Sequence, residues 1–95
     1  MGAMILDHRL EVAVPPYTYV ITHDGQSATC QIRKSNPQGW LLQAVAAAFP
    51  SVARASGAEV LRVRLEPIAG LERAWRGRVQ LSNSELVINV TETRR

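Results

Sequence analysis

An Asp24-Gly25 dipeptide, set between two alternating segments, limits the fold of this chain more than any other feature. Asp-Gly suits a type I′ turn, in which both central residues have positive φ, and such turns join antiparallel strands. A turn centred there pairs the apolar side chains of residues 17–22 and 27–33 on one face: Ile21 with Ala28, Tyr19 with Cys30, and Tyr17 with Ile32. Because turn chemistry and hydrophobic pattern agree on one register, we predict a β-hairpin here.

A period-two pattern also precedes the hairpin, over residues 4–14, and predicts a half-buried strand. Pro15-Pro16 ends the pattern, because proline cannot donate a ladder hydrogen bond. No tight turn assigns a partner to this strand, so we expect it to be an oligomer edge strand that pairs with another chain through Leu6, His8, Leu10 and Val12. The alternative is that it pairs within its own sheet or forms a second small layer.

The middle of the chain predicts one kinked helix. Asn36 can cap the first free amides, and Pro37 suits a first helical turn. An apolar stripe follows at helical spacing: Trp40, Leu41, Ala44, Val45, Ala48 and Phe49. Pro50 predicts a kink or an end near Phe49, with a short second segment over residues 51–56 and a stop at Gly57.

The second half returns to period two and predicts three more strands. Their inward residues are Leu61, Val63 and Leu65, then Trp75, Val79 and Leu81, then Leu86, Ile88 and Val90. A turn centred on Asn83-Ser84 pairs Leu81 with Leu86 and Val79 with Ile88. The order β-ββ-α-βββ predicts an α+β fold, with a largely antiparallel sheet of about six strands and one kinked helix packed on one face. Residues 1–3 are expected to be a cloning remnant, and residues 4–95 one domain.

Four arginines fall on the sheet face opposite the helix, and we call them the arginine patch: Arg62, Arg64, Arg76 and Arg78. Two registers of the hairpin that carries them keep the apolar residues inside. Pairing Leu65 with Leu71 sets Arg64 opposite Glu72 and neutralises the surface. Pairing Leu65 with Trp75 sets Arg64 opposite Arg76 and Arg62 opposite Arg78, which concentrates positive charge. Cross-strand pairs contribute only ~0.2 to 1 kcal/mol, too little to decide between the two.

The chain holds ten Arg and one Lys against eight acidic residues, for a net charge of +3. A GC-rich genome explains this excess, since it also favours the twelve alanines; the alternative is an anionic partner, because Arg forks bind phosphate. Base stacking by the sheet is not expected, because Tyr17, Tyr19 and Trp75 all fall on the inner face.

Nothing in the sequence predicts catalysis or a cofactor. The one cysteine, Cys30, has no partner for an internal disulfide, and no His or Cys cluster predicts a metal site. His8 and Cys30 lie at inward positions typical of packing, and His23 precedes a turn where a polar residue is ordinary. No glycine-rich phosphate loop, carboxylate pair or serine motif occurs.

Our first hypothesis is a small non-catalytic cytoplasmic protein, of a high-GC bacterium or its mobile elements, that acts as a homo-oligomeric protein-interaction module. Its partner is expected to be a second copy of itself or another protein. The second hypothesis is nucleic-acid binding through the arginine patch. A third is a small-molecule pocket between Trp40, Phe49 and the sheet. No apolar run reaches the roughly 18 residues of a membrane span, so no membrane partner is expected.

Overall fold

The fold is an antiparallel sheet with helices packed on one face. The computed structural model describes residues 16–33 and 36–93. Five strands pair in the order β2-β1-β5-β4-β3, and they are β1 (Pro16–His23), β2 (Gln26–Arg33), β3 (Glu66–Pro67), β4 (Ala74–Gln80) and β5 (Glu85–Glu92). The helices are α1 (Leu41–Ala48) and α2 (Pro50–Arg62). The α+β prediction is confirmed, with five strands among the described residues instead of about six. The predicted strand that carries Leu6, His8, Leu10 and Val12 lies outside the described residues.

The β1–β2 hairpin has the predicted register. Ile21 pairs with Ala28, and Tyr19 pairs with Cys30. Asp24 and Gly25 have φ of 56° and 79°, as a type I′ turn requires. Local turn chemistry therefore fixes this part of the fold.

Alanine at Gly25 is expected to lower the free energy of unfolding by about 1–2 kcal/mol, the cost of a left-handed conformation for a residue with a Cβ. A Cβ at this position would meet no heavy atom within 4 Å, so the loss would come from the backbone alone. Urea denaturation of Gly25→Ala measures it. Asp24→Asn is the matched control and should be close to neutral, because Asn tolerates positive φ. If Gly25→Ala left the free energy of unfolding unchanged, that result would contradict the type I′ turn.

The core forms where the first and last described strands meet. β1 pairs with β5 at the centre of the sheet, with Tyr19 opposite Val90 and Ile21 opposite Ile88. The two helices bury their apolar residues against these strands: Leu41, Ala44 and Val45 from α1, and Val52 and Val60 from α2. Alternation in the strands and helical spacing in α1 and α2 thus meet in one core.

The break between the helices is confirmed at the predicted place. The Gly39 N–H donates to Asn36 Oδ1 at 2.8 Å, a 3₁₀ turn follows over Gln38–Trp40, and α1 begins after it. Phe49 leaves the helical region with φ −139° and ψ 80°, and Pro50 opens α2. α2 breaks close to the predicted stop, because Ser56 leaves the helical region at φ −132° and ψ 28° and two helical stretches join across a kink there. The helix does not end at Gly57, however, since the second stretch continues to Arg62.

The prediction of a strand through Leu61, Val63 and Leu65 is therefore wrong at its first residues. Leu61 and Arg62 end α2 instead, and Leu61 is 66% exposed instead of facing inward. The reason is Val60, which is fully buried in the core because a helical stretch resumes after the kink at Ser56. The strand that pairs with β4 is reduced to the two residues of β3.

The last hairpin keeps the predicted faces but not the predicted register. Val79 pairs with Leu86, and Gln80 with Glu85, so the turn is centred on Ser82-Asn83. The Leu81 N–H donates to the Ser84 carbonyl at 2.8 Å across it. Neither Ser82 nor Asn83 has positive φ, so this is not a type I′ turn. The shift is two residues, an even number, and every side chain stays on its predicted face.

Candidate functional site

The register of β3 with β4 determines which residues lie opposite the arginines of β4. Glu66 lies opposite Arg76, and Pro67 opposite Trp75. Neither predicted register is correct, since Leu65 pairs with neither Leu71 nor Trp75. The observed register differs from both by an even number of residues, so Arg76 and Arg78 still lie on the outer face.

The arginine patch nevertheless forms one surface. Two adjoining depressions of about 450 Å³ each lie along this edge of the sheet. Arg64, Arg76 and Arg78 line the first, and Arg62, Arg64 and Arg78 line the second. Arg62 reaches the surface from the last turn of α2 and not from a strand. The structure thus brings all four arginines together, but the sequence pattern did not predict that a helix would carry Arg62.

Gly77 explains why the connection from α2 can approach β4 so closely. A Cβ at Gly77 would lie 2.6 Å from Val63 Cγ1 and 3.2 Å from Leu65 Cδ2. Both side chains pack against the core beside this strand. The missing side chain of Gly77 therefore leaves the space that lets residues 63–65 carry Arg64 to the sheet edge.

Gln38 holds the same connection from the other side. Its side-chain Nε2 donates to the Val63 carbonyl at 2.7 Å, and its Oε1 accepts from the Leu65 N–H at 2.8 Å. One amide side chain thus satisfies the backbone on both sides of Arg64. No sequence signal identifies this contact, because the residues are 25 and 27 positions apart.

Arg76 is oriented by a cross-strand neighbour. Its Nε donates to Asn89 Oδ1 at 2.7 Å, and Asn89 lies directly opposite Arg76 in the β4–β5 pairing. This bond uses one of the five guanidinium donors and holds the planar group over the outer face. The Nη hydrogens remain available to bind an oxyanion as a fork.

The charge of this surface is positive. Two carboxylates also line the depressions, Glu59 and Glu66, so four arginines and two glutamates give a local balance of +2. Within the described residues, no ion pair within 4.0 Å joins these glutamates to the arginine patch, and the side chains of Arg62, Arg64 and Arg78 make no hydrogen bond. Arg73 is different, because it forms an ion pair with Glu92. The two glutamates were not identified from the sequence, although Glu66 beside Pro67 is typical of a protected strand edge.

The aromatic residues lie on the inner side, as predicted. Tyr17 is buried and contacts Trp75 edge-to-face, with ring centroids 5.9 Å apart. Tyr19 donates its hydroxyl hydrogen to the Pro37 carbonyl at 2.7 Å, and burial, with smaller effects from Cys30 and Tyr17, raises the pKa of Tyr19 to about 12. The described part of the outer face carries no aromatic side chain on which a base could stack.

The remaining reactive side chains have structural surroundings. His23 Nε2 lies 3.0 Å from Ser84 Oγ, and the His23 ring meets Phe49 edge-on at 5.7 Å. Burial raises the pKa of the Cys30 thiol, which favours the unreactive protonated form. Among residues 16–33 and 36–93, no group of three His, Cys, Asp or Glu could hold a metal ion. No helix in the same ranges is long and apolar enough to cross a membrane.

Chemically, this surface can bind an oxyanion through several guanidinium groups at once. Three of the four arginines keep all their donors, and the fourth is oriented by Asn89. The chain matches no protein-family model, no curated protein and no solved structure.

Proposed function

We propose that this protein binds the phosphate backbone of nucleic acid through the arginine patch. One observation supports the proposal most directly: four arginines line one continuous surface without an ion-pair partner among the described residues. Guanidinium groups bind phosphate oxygens in a planar fork, and they lose less hydration than an ammonium group does. The proposed activity is binding and not catalysis.

The shape and composition of the surface favour contacts to phosphates over contacts to bases. Proteins that read single strands stack bases on exposed aromatic rings, and the described outer face has none. Two neighbouring outer-face residues, Asn89 and Thr91, offer an amide N–H and a hydroxyl group that suit phosphate and sugar oxygens. We therefore propose duplex binding with little sequence preference.

The salt dependence of binding tests this proposal. If all four arginines contact phosphates, the logarithm of the association constant should fall against log salt with a slope of about −3.6 on duplex DNA. Fluorescence anisotropy with a labelled duplex measures the slope. Arg78→Gln should make the slope shallower by about 0.9 and weaken binding equally on unrelated sequences.

Arg54→Gln is the matched control. Arg54 is exposed on α2 and does not line either depression, yet this substitution removes the same charge. It should leave the slope unchanged. The absence of any binding at low salt would refute the proposal, and an equal effect of both substitutions would show that the arginine patch is not the contact surface.

A further inference from the structure

Within residues 16–33 and 36–93, the edge of the sheet formed by β2 has backbone groups that no other strand pairs. β2 is the last of the described strands in the sheet order, and β1 is the one described strand that pairs with it. The two residues that flank a two-residue turn form a hydrogen-bonded pair, and here they are His23 and Gln26. Along the hairpin such pairs alternate with pairs that share no hydrogen bond, which we call open pairs. The even-numbered residues of β2 therefore direct their N–H and C=O groups at β1. Ser27, Thr29 and Gln31 direct theirs away from the sheet, and all three are exposed.

This edge lacks the features that prevent strands from pairing. Residues 26–32 contain no charged residue and no proline, and the register with β1 is uninterrupted by a bulge. The opposite edge is protected in three ways, since β3 has only two residues, contains Pro67, and lies beside the arginine patch. Proteins normally protect long exposed edges, so the contrast indicates that the β2 edge has a partner.

We propose that β2 pairs with β2 of a second copy of this chain, antiparallel and around a two-fold axis. A continuous sheet requires paired residues to lie on the same face, so the two residue numbers of each pair must have the same parity. With Cys30 on the axis, Ala28 lies opposite the partner's Ile32, and the inner apolar residues of β2 pair only with one another. Moving the axis to Thr29 would instead set Ile32 opposite the partner's Gln26.

Charge also favours the antiparallel arrangement. Arg33 ends β2, and Asp24 lies in the turn before it. In the antiparallel register Arg33 lies opposite the partner's Ser27, three residues from the partner's Asp24, whereas parallel pairing in register would set Arg33 opposite Arg33. Both sides of β1 are already occupied by β2 and β5, so no further strand can hydrogen bond to β1.

Cys30 provides a direct test of the register. In the proposed pairing the two Cys30 residues form an open pair with Cα atoms about 4.5 Å apart, which a disulfide can span. Treatment of the full chain with diamide should give a covalent dimer on non-reducing gels, and Cys30→Ser should lose it. Thr29→Cys in the Cys30→Ser background should not restore it, because Thr29 lies opposite the partner's Gln31. Restoration would overturn the register.

Light scattering coupled to size exclusion tests the dimer itself. The expected mass is twice 10.5 kDa at high micromolar concentration. Thr29→Pro removes an outward N–H without removing a bond to β1, so it should give a folded monomer by circular dichroism. Thr29→Lys, which keeps the backbone, should also give a monomer.

Three results would overturn the proposal. One is a wild-type mass of 10.5 kDa at high micromolar concentration. Another is an unchanged dimer in both Thr29 variants, which would assign it to a different surface. The third is a monomer in which the Thr29 amide is protected from hydrogen exchange, which would show that the chain's own residues cover the edge.

Discussion

Replacing Gly77 with alanine is expected to lower the free energy of unfolding by about 1–3 kcal/mol, the usual cost of overpacking a filled core. The new Cβ would lie 2.6 Å from Val63 Cγ1, a separation that forces β4 and the connection after α2 apart. A fall in the urea midpoint with an unchanged slope would measure the loss. The same displacement moves Arg64, so nucleic-acid binding should weaken as well.

Two companion variants separate the clash from a general effect of removing glycine. Gly57→Ala should be neutral or stabilising, because a Cβ there meets only Leu42 Cδ1 at an ordinary 3.6 Å and alanine favours the helix. Val63→Ala combined with Gly77→Ala should recover part of the lost stability, since it removes the clashing methyl groups. A Gly77→Ala protein as stable as the wild type would contradict the packing of residues 63–65 against β4.

The elements that could be predicted from the sequence are those fixed by local chemistry. Asp24-Gly25 demands positive φ at two consecutive residues, and only one register then places Tyr19 and Ile21 on the inner face. Pro50 likewise fixes the helix break, because it lacks an amide donor for the preceding turn. Such signals are carried by adjacent residues and need no knowledge of the distant packing.

The failure at Leu61 shows where local pattern is insufficient. Leu61, Val63 and Leu65 alternate as a strand would, yet Val60 is buried in the core by the helical stretch that follows the kink at Ser56. A short alternating run cannot be distinguished from the end of a helix by periodicity alone. Packing of α2 on the core decided the outcome, and that information is absent from the local sequence.

The four arginines that were predicted to share a surface line adjoining depressions, but the elements that carry them differ from the prediction. Both register errors in the second half were even shifts, so Arg76 and Arg78 lie on the predicted face of the sheet while the residues opposite them differ from the prediction. One predicted register set Arg64 opposite Arg76, and the other set Arg64 opposite Glu72. In the structure Glu66 lies opposite Arg76 instead. The hydrogen bonds of the Gln38 amide to residues 63 and 65 depend on the tertiary fold, so the hydrophobic pattern of the sequence does not predict them.

The two proposals concern opposite edges of one sheet and can be separated by experiment. β1 and β5 lie between β2 and β4, so a substitution at Thr29 does not touch the arginine patch. A dimer through β2 would carry one arginine patch at each end of a joined sheet. Thr29→Pro should therefore keep the phosphate contacts of one copy while losing any added affinity from two linked copies.

Reversing the charge of Arg64 and Arg78 together is expected to produce the largest loss of binding. Both residues line both depressions, and the change to glutamate turns the local balance from +2 to −2. Each phosphate contact contributes about 0.9 to the slope of log association constant against log salt. Between 1 M and 50 mM salt, which is about 1.3 decades, the loss of two contacts therefore weakens binding by roughly 10²-fold. Like-charge repulsion adds to that figure, and anisotropy titration at 50 mM salt measures the total.

Global charge needs a control of its own, since Arg64→Glu with Arg78→Glu lowers the net charge from +3 to −1. Arg54→Glu with Gln43→Glu and Ala47→Glu gives the same −1 from exposed helix positions that line neither depression. This control should retain most of the short-range binding, because each arginine of the patch still meets its phosphate and distant charges are screened beyond about 10 Å at 0.1 M salt. Equal losses in the two proteins would mean that binding follows the overall field of the molecule and not the arginine patch.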